Sequence, residues 1–341
     1  MVTAGTRRTI QIVVAPPPSR PLGWLGVPVQ HWRTVTQAGF FLLFVLAPVF
    51  DLFRLDLNLK HFIFFGLDWT LGLDDFLAGH ATPMQVALNI VLRGFLPIVA
   101  IVGGVIYVSW KWGRVYCGWL CPHFSVVETI NRTLRRAIGK QSLWDTKAMP
   151  DRNPDGTAFK RDPLWWFAVL PLVVACAFLW ALVMLTYLLP PAEVYGNLWH
   201  GTLTRNQAVF LTAGSIACFV EFMFARHLFC RYACAVGLFQ SLAWMGNDKA
   251  MVVGFQRQRA ADCASCYSAC DHVCPMRLKP RNVKRLMFAC VQCGQCLDAC
   301  GQTQADNPRG PLLDWVHEVA AESEAAFDAK AARNNLTTKD A

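Results

Sequence analysis

The sequence predicts a mainly α fold: a four-span transmembrane helical domain with a small cysteine-rich α+β domain on its cytoplasmic face. Three observations predict it. Of the 341 residues, 54% are hydrophobic and only 16% charged, a balance that belongs to membrane proteins rather than soluble domains. Four apolar stretches are each long enough to cross roughly 30 Å of hydrocarbon as helices. Eight cysteines crowd between positions 263 and 300.

The spans are expected at 34–53, 88–110, 163–188 and 206–225. Positive charge orients them. The segment before the first span carries Arg7, Arg8, Arg20 and Arg33 and no acidic residue, and the loop 111–162 carries ten Lys or Arg, among them Arg132, Arg135, Arg136 and Lys140. The segment 54–87 has only Arg54 and Lys60 against Asp56, Asp68, Asp74 and Asp75, and 189–205 has only Arg205 as a cation. Both termini are therefore expected in the cytoplasm, and the net charge of +9 is topological rather than a nucleic-acid signal. The run IQIVVA is too short for a secretory signal and leads into PPPSRP, so the first span is expected to be retained. The chain divides into a cytoplasmic N-terminal segment (1–33), the membrane domain (34–254), a ferredoxin-like domain (255–310) and a C-terminal tail (311–341) whose apolar spacing predicts a surface helix.

On the cytoplasmic side thiols stay reduced, and dense cysteine there points to metal rather than disulfides. The first run is Cys263-x2-Cys266-x3-Cys270-x3-Cys274-Pro275; the second is Cys290-x2-Cys293-x2-Cys296-x3-Cys300. Paired runs of this kind hold two [4Fe-4S] cubanes, with the fourth cysteine of each run crossing to the other cluster. Cluster one is thus assigned to Cys263, Cys266, Cys270 and Cys300, and cluster two to Cys290, Cys293, Cys296 and Cys274. Tyr267, Ser268 and Ala269 give the first run one residue more than the usual two between its second and third cysteines, so its loop must bulge. Two zinc sites are the alternative; the Cys-Pro exit and the lack of a histidine at zinc-ribbon spacing favour iron–sulfur.

Two further pairs stand at membrane exits. GRVYCGWLCPHFSVVETI follows the second span and ARHLFCRYACAVGLFQSL the fourth, so each outgoing helix ends in an arginine, then Cys-x3-Cys, then an apolar segment. Cys117 with Cys121, and Cys230 with Cys234, can bind a soft metal, form a redox pair or simply pack. Their recurrence at equivalent exits favours a site, with the two pairs brought together beneath the ferredoxin domain and Arg114 and Arg226 helping to keep the thiols ionised. Cys176 and Cys218, mid-membrane, read as packing residues. Arg93 and Glu221 within spans are functional candidates that can equally snorkel to an interface, and His123 and His227 adjoin the pairs.

Cys117-Gly-Trp-Leu-Cys121-Pro122, the second pair followed by LFQS, the twin runs, the exit CGQTQADNPRG and the segment KHFIFFGLDW together resemble the membrane-bound polyferredoxins of the FixG/RdxA/CcoG type, the cytochrome c oxidase accessory proteins, and the related NapH and NosR proteins. The resemblance covers roughly 33–310. It departs at Ala235, where the second motif has proline in the family, and the chain ends near 341 without the family's further span and outer domain. It implies a protein of the bacterial inner membrane that reduces Cu(II) to Cu(I) on the cytoplasmic side, with transient copper at the paired cysteines, oxidase-assembly or copper-transport partners, and quinol or a reduced soluble carrier as electron donor. Two other readings compete: a quinol-oxidising conduit to a partner reductase, and a redox-sensing or scaffolding protein.

Overall fold

The computed structural model describes residues 28–145 and 148–324. Arg7, Arg8 and Arg20, and the tail beyond 324, lie outside them. Helix α1 (Val29–Leu46) leads through a turn at Pro48 into a three-stranded antiparallel meander, β1 (Phe53–Asp56), β2 (His61–Phe64) and β3 (Leu67–Trp69), paired in register from Phe53↔Phe64 and Phe62↔Trp69. The short helix α2 (Leu73–Leu77) follows, and then α3 (Pro83–Asn89), whose start is set by a capping box between Thr82 and Gln85 with Pro83 in the first turn. A π-helical stretch at Ile90–Phe95 joins α3 to α4 (Leu96–Trp112).

After α4 come α5 (Val115–Trp119) and the amphipathic α6 (Pro122–Ile138), then the apolar α7 (Trp166–Thr186), α8 (Pro191–His200) and α9 (Arg205–Val220), the last capped by Thr204 and Gln207. Glu221–Ala225 continues α9 as a π-helix, and α10 (Ala235–Met245) follows the second cysteine pair. α7 packs along α9 and against α6, while α4 packs on α10.

Among the described residues three helical segments are long and apolar enough to cross a membrane: Pro83–Trp112, Pro163–Thr186 and Arg205–Ala225. They coincide with the second, third and fourth expected spans. α1 differs from them and from the expected 34–53 because its first turns are polar and buried. Arg33 and Gln37 face the interior rather than hydrocarbon, and the chain leaves the helix before Pro48.

The cysteine-rich domain begins and ends on one strand pair, β4 (Val252–Phe255) with β5 (Leu313–Val316), antiparallel from Val252↔Val316 to Phe255↔Leu313. Between them lie α11 (Ala269–Val273) and α12 (Gln295–Thr303). The expectation of a helix from 311 onwards is corrected here. Residues 313–316 form a strand because Leu312 and Leu313 are buried against the first run, and only 319–324 turn helical within the described part of the tail. One apolar core joins the two halves of the molecule, containing Cys117, Phe124, Cys230 and Trp244 from the membrane side and Met276, Met287, Val291 and Cys293 from the cysteine-rich domain.

Candidate functional site

Cys290, Cys293, Cys296 and Cys274 line one small cavity, walled also by Val253, Met276, Leu278 and Met287. The cysteine assigned across from the first run thus stands with the second run. Backbone amides turn toward these sulfurs: Leu278 N donates to Cys274 Sγ at 3.4 Å, and the amides of Gln292 and Gln295 are directed at Cys290 and Cys293. Burial pushes Cys274 up to about 12 and Cys290 and Cys296 well above the ordinary thiol value, each neighbouring thiol adding to the rise. Four thiols around one space, those of Cys293 and Cys296 on buried residues, with amide donors turned toward them, fit a cubane that would take them as thiolates.

Cys300 sits one helical turn after Cys296 on α12 and faces the other run, close enough to help raise Cys263 and Cys270 and to be raised in turn by Cys266. Leu312 N donates to its sulfur at 3.3 Å. The expected bulge takes the form of Tyr267 and Ser268, consecutive residues in the left-handed region at φ 50° and 56°. The structure thus brings Cys274 together with Cys290, Cys293 and Cys296, and Cys300 near Cys263, Cys266 and Cys270, with α12 carrying one thiol toward each group.

The two Cys-x3-Cys pairs also meet. Cys117, Cys121, Cys230 and Cys234 lie near enough that each of the first three is raised by the presence of others of the group, with burial the largest cause; Cys121 is pushed up to about 11. Cys121 and Cys234 are both helix N-caps, with φ/ψ of −59°/117° and −71°/108°, so Ala235 leaves the cap geometry of the second pair unchanged despite the missing proline. The amides of His123 and Phe124 point at Cys121.

Arg114, fully buried, donates through Nη2 to Cys230 O at 2.8 Å and lies 4.0 Å from Cys117 Sγ. Gly237 makes room for it, since a Cβ there would stand 2.1 Å from Nη2. The expected role of the two arginines is corrected in two respects. Burial outweighs Arg114, leaving Cys117 raised, and Arg226 faces elsewhere, bonding Phe222 O, Asn131 and Gln141 O.

The first pair is docked directly on the second run. Gly118 sits so close that a Cβ would lie 2.1 Å from Val291 O and 3.5 Å from the Cα of Cys293, and Trp119 Nε1 donates to Gln292 O at 2.9 Å. A clamp of residues not singled out as site residues holds this contact. Arg33 donates to Gly118 O at 2.8 Å and pairs with Glu128; Gln37 bonds both; Gln30 donates to Cys293 O at 2.9 Å; and Gln295, next to Cys296, donates to Glu128. Arg33 holds Glu128 down at about 2 despite its burial. Nothing in the local pattern marks Glu128, because its partners come from 95 residues before it and 167 after.

His123 spans Glu221 and Cys230, its Nε2 2.5 Å from the carboxylate oxygen and its Nδ1 3.5 Å from the sulfur. His227 is stacked at an angle on Phe124 and burial pushes it down to about 3. Cys176 and Cys218 pack in a separate apolar cluster with α6 and α7, away from either run. Arg93 reaches Thr70 O at 3.2 Å, anchoring the helix to the meander.

The segments 95–141 and 207–250 match the family described as a 4Fe-4S binding domain; they contain the two Cys-x3-Cys pairs and stop short of the ferredoxin-type runs. The chain is 23% identical over 288 residues to the ferredoxin-type protein NapH of Haemophilus influenzae, covering 82% of this chain and 89% of that one. It is 27% identical over 224 residues to the protein RdxA of Cereibacter sphaeroides, covering 58% of this chain and 43% of that one. The chain is similar to the membrane polyferredoxins of this group. The regulatory protein NosR of Pseudomonas aeruginosa is 26% identical over 226 residues, 66% of this chain and 28% of NosR. No solved structure matches. The chain is thus an iron–sulfur electron-transfer protein of the membrane, related to NapH, NosR and RdxA.

Proposed function

We propose that the chain is held in the bacterial inner membrane by four spans with both termini cytoplasmic, carries one cubane on Cys263, Cys266, Cys270 and Cys300 and another on Cys290, Cys293, Cys296 and Cys274, and delivers electrons to Cu(II) at the paired cysteines, yielding Cu(I) for assembly of a cbb-type oxidase. When bound, the cubanes supply one-electron transfer at potentials set by charge and amide hydrogen bonds. The chain's own residues do the rest. Tyr267, 69% exposed beside Cys266, leaves the first run open to a soluble donor. Cys296 and Cys300 on one helix relate the two quartets, and the Gly118–Val291 contact joins the second quartet to the paired cysteines.

That contact is the observation that carries the reading, because it gives electrons a short protein path from the second run to Cys117. The test reduces the protein anaerobically with dithionite, removes excess reductant and adds Cu(II) with a Cu(I)-trapping chelator. Cu(I) should appear at a rate that falls when Cys117 and Cys121 are changed to serine with the spectra of both runs intact. An unchanged rate would defeat the paired-cysteine outlet.

A second reading, oxidation of a quinol and delivery of its electrons to a partner reductase, is favoured by the Glu221–His123–Cys230 chain, which reaches from the end of an apolar helix to the thiols. Reduction of the clusters by a quinol, lost in Glu221→Gln, distinguishes it.

A further inference from the structure

We infer that the chain holds an anionic phospholipid by its phosphate in a pocket at the end of the apolar segment Arg205–Ala225, built from Arg226, His227 and Arg231 against Arg277 of the cysteine-rich domain. The inference goes beyond the electron-transfer reading and shares with it only the membrane setting.

The first argument is the set of unused donors. Arg226 comes directly after the apolar segment, at φ 49° in the left-handed region that a residue with a side chain rarely adopts. The chain turns there and the guanidinium lies inside: Arg226 is 2% exposed, its Nε donating to Phe222 O at 3.1 Å and its Nη1 to Asn131 Oδ1 at 3.3 Å and Gln141 O at 3.2 Å. These acceptors are neutral, and Nη2 has none among the described residues. His227 beside it is 9% exposed, with no partner for either ring nitrogen. A neutral imidazole still has one N–H to give. Buried donors in this state call for an acceptor.

The second argument is charge. The cavity these residues line has a volume of about 70 Å³, several times the roughly 10–15 Å³ that one water needs. Its lining includes Arg226, Arg231 and Arg277 and no acidic residue. Asp145, close enough to act on Arg226, is held by Arg277 through both terminal nitrogens. Arg231 donates only a long bond, to Met276 O at 3.4 Å. Surplus positive charge with unused N–H groups fits an oxyanion, and phosphate suits the planar guanidinium best.

The third argument gives the source of the phosphate. Trp144 and Leu228 line the pocket and are exposed, as are Phe224, whose carbonyl accepts from Trp144 Nε1 at 2.9 Å, and Tyr232, over which the Arg231 guanidinium lies. An indole and a phenol beside arginines at the end of an apolar helix belong at headgroup depth, where basic pockets select anionic lipids. Free phosphate would make no use of this apolar rim, whereas acyl chains would cover it.

The test uses the full-length protein in a neutral detergent, with thermal unfolding followed by intrinsic fluorescence and size exclusion confirming that each variant is folded. Dioleoyl phosphatidylglycerol added to the micelles should raise the unfolding midpoint saturably; dioleoyl phosphatidylcholine and inorganic phosphate at the same concentrations should not. Arg231→Gln, which leaves the buried bonds of Arg226 in place, should raise the half-saturating concentration about tenfold, the worth of one charge-assisted hydrogen bond. Arg226→Gln should abolish the response, and Lys160→Gln, at an exposed cation outside the pocket, should leave it unchanged.

An equal response to phosphatidylcholine, an equal loss in Lys160→Gln or an unchanged half-saturating concentration in Arg231→Gln would overturn the inference. Saturation by inorganic phosphate would overturn the lipid as the source. Should Arg226→Gln fail to fold, the comparison of Arg231→Gln with Lys160→Gln decides alone. None of these measurements reads Cu(II) reduction, so failure of the lipid site and failure of the electron-transfer reading are seen separately.

Discussion

The two cysteine runs have nearly the same spacing and sit in different surroundings. The second is sealed: Cys293 and Cys296 are buried, Gln30 and Trp119 grip its backbone, and Val291 touches Gly118 of the membrane domain. The first is open. Cys263 and Cys266 are half-buried, Tyr267 stands in solvent, and the loop is fastened by ion pairs at the rim such as Arg281–Asp271 at 2.6 Å. The difference teaches that one ligand pattern can stand in a sealed setting and in an open one. What distinguishes them is not the thiols but the polypeptide packed on each.

The largest break in this comparison comes from the ligands. Cys293→Ser should cost about four iron atoms and also loosen the docked domain, seen as protease cleavage between 246 and 252, whereas Cys263→Ser should cost about four iron atoms and leave docking intact. Equal protease sensitivity in the two variants would contradict the contrast between sealed and open sites.

Next in size is the clamp. Arg33→Ala leaves Glu128 buried with part of its compensation gone, so stability in detergent should fall by about 3–5 kcal/mol and the thiols at 117 and 121 should become reactive to maleimide. Thermal unfolding and labelling of the same sample check both.

A smaller effect follows from pH. Glu128 is held at about 2, below the ordinary carboxyl value of 4.5, by Arg33 and Arg132, so its stabilising charge is fully present above about pH 5 and is lost as pH falls from there toward 2. Acid unfolding of Glu128→Gln, monitored by the visible absorbance of the clusters, should be less steep over that window than that of the unaltered protein.

The smallest effect belongs to the open side. Arg281→Ala removes a partly exposed pair and should cost no more than about 1 kcal/mol, with the iron count unchanged. A drop in iron would show that the rim pair organises the first cluster rather than merely fastening the loop.

Much of this was legible in the chain alone, for reasons of local chemistry. Hydrocarbon thickness sets the length of an apolar helix, so Pro83–Trp112, Pro163–Thr186 and Arg205–Ala225 announce themselves by composition. A cubane needs thiols at close spacing, so the placing of Cys274 beside the second run and of Cys300 beside the first could be expected from intervals, and the repeated Arg and Cys-x3-Cys at two exits marked the pairs.

The tertiary structure decided what spacing does not encode. It turned the start of α1 inward, because Arg33 finds Glu128 and Gly118 O, and it turned 313–316 into a strand, because Val252–Phe255 offers an edge and the first run offers a place to bury Leu313. It set Arg114 rather than Arg226 over the four thiols and pressed Gly118 onto Val291. These contacts join residues far apart in the chain, and their partners are chosen by burial and charge balance in the folded interior, which no local interval in the sequence records.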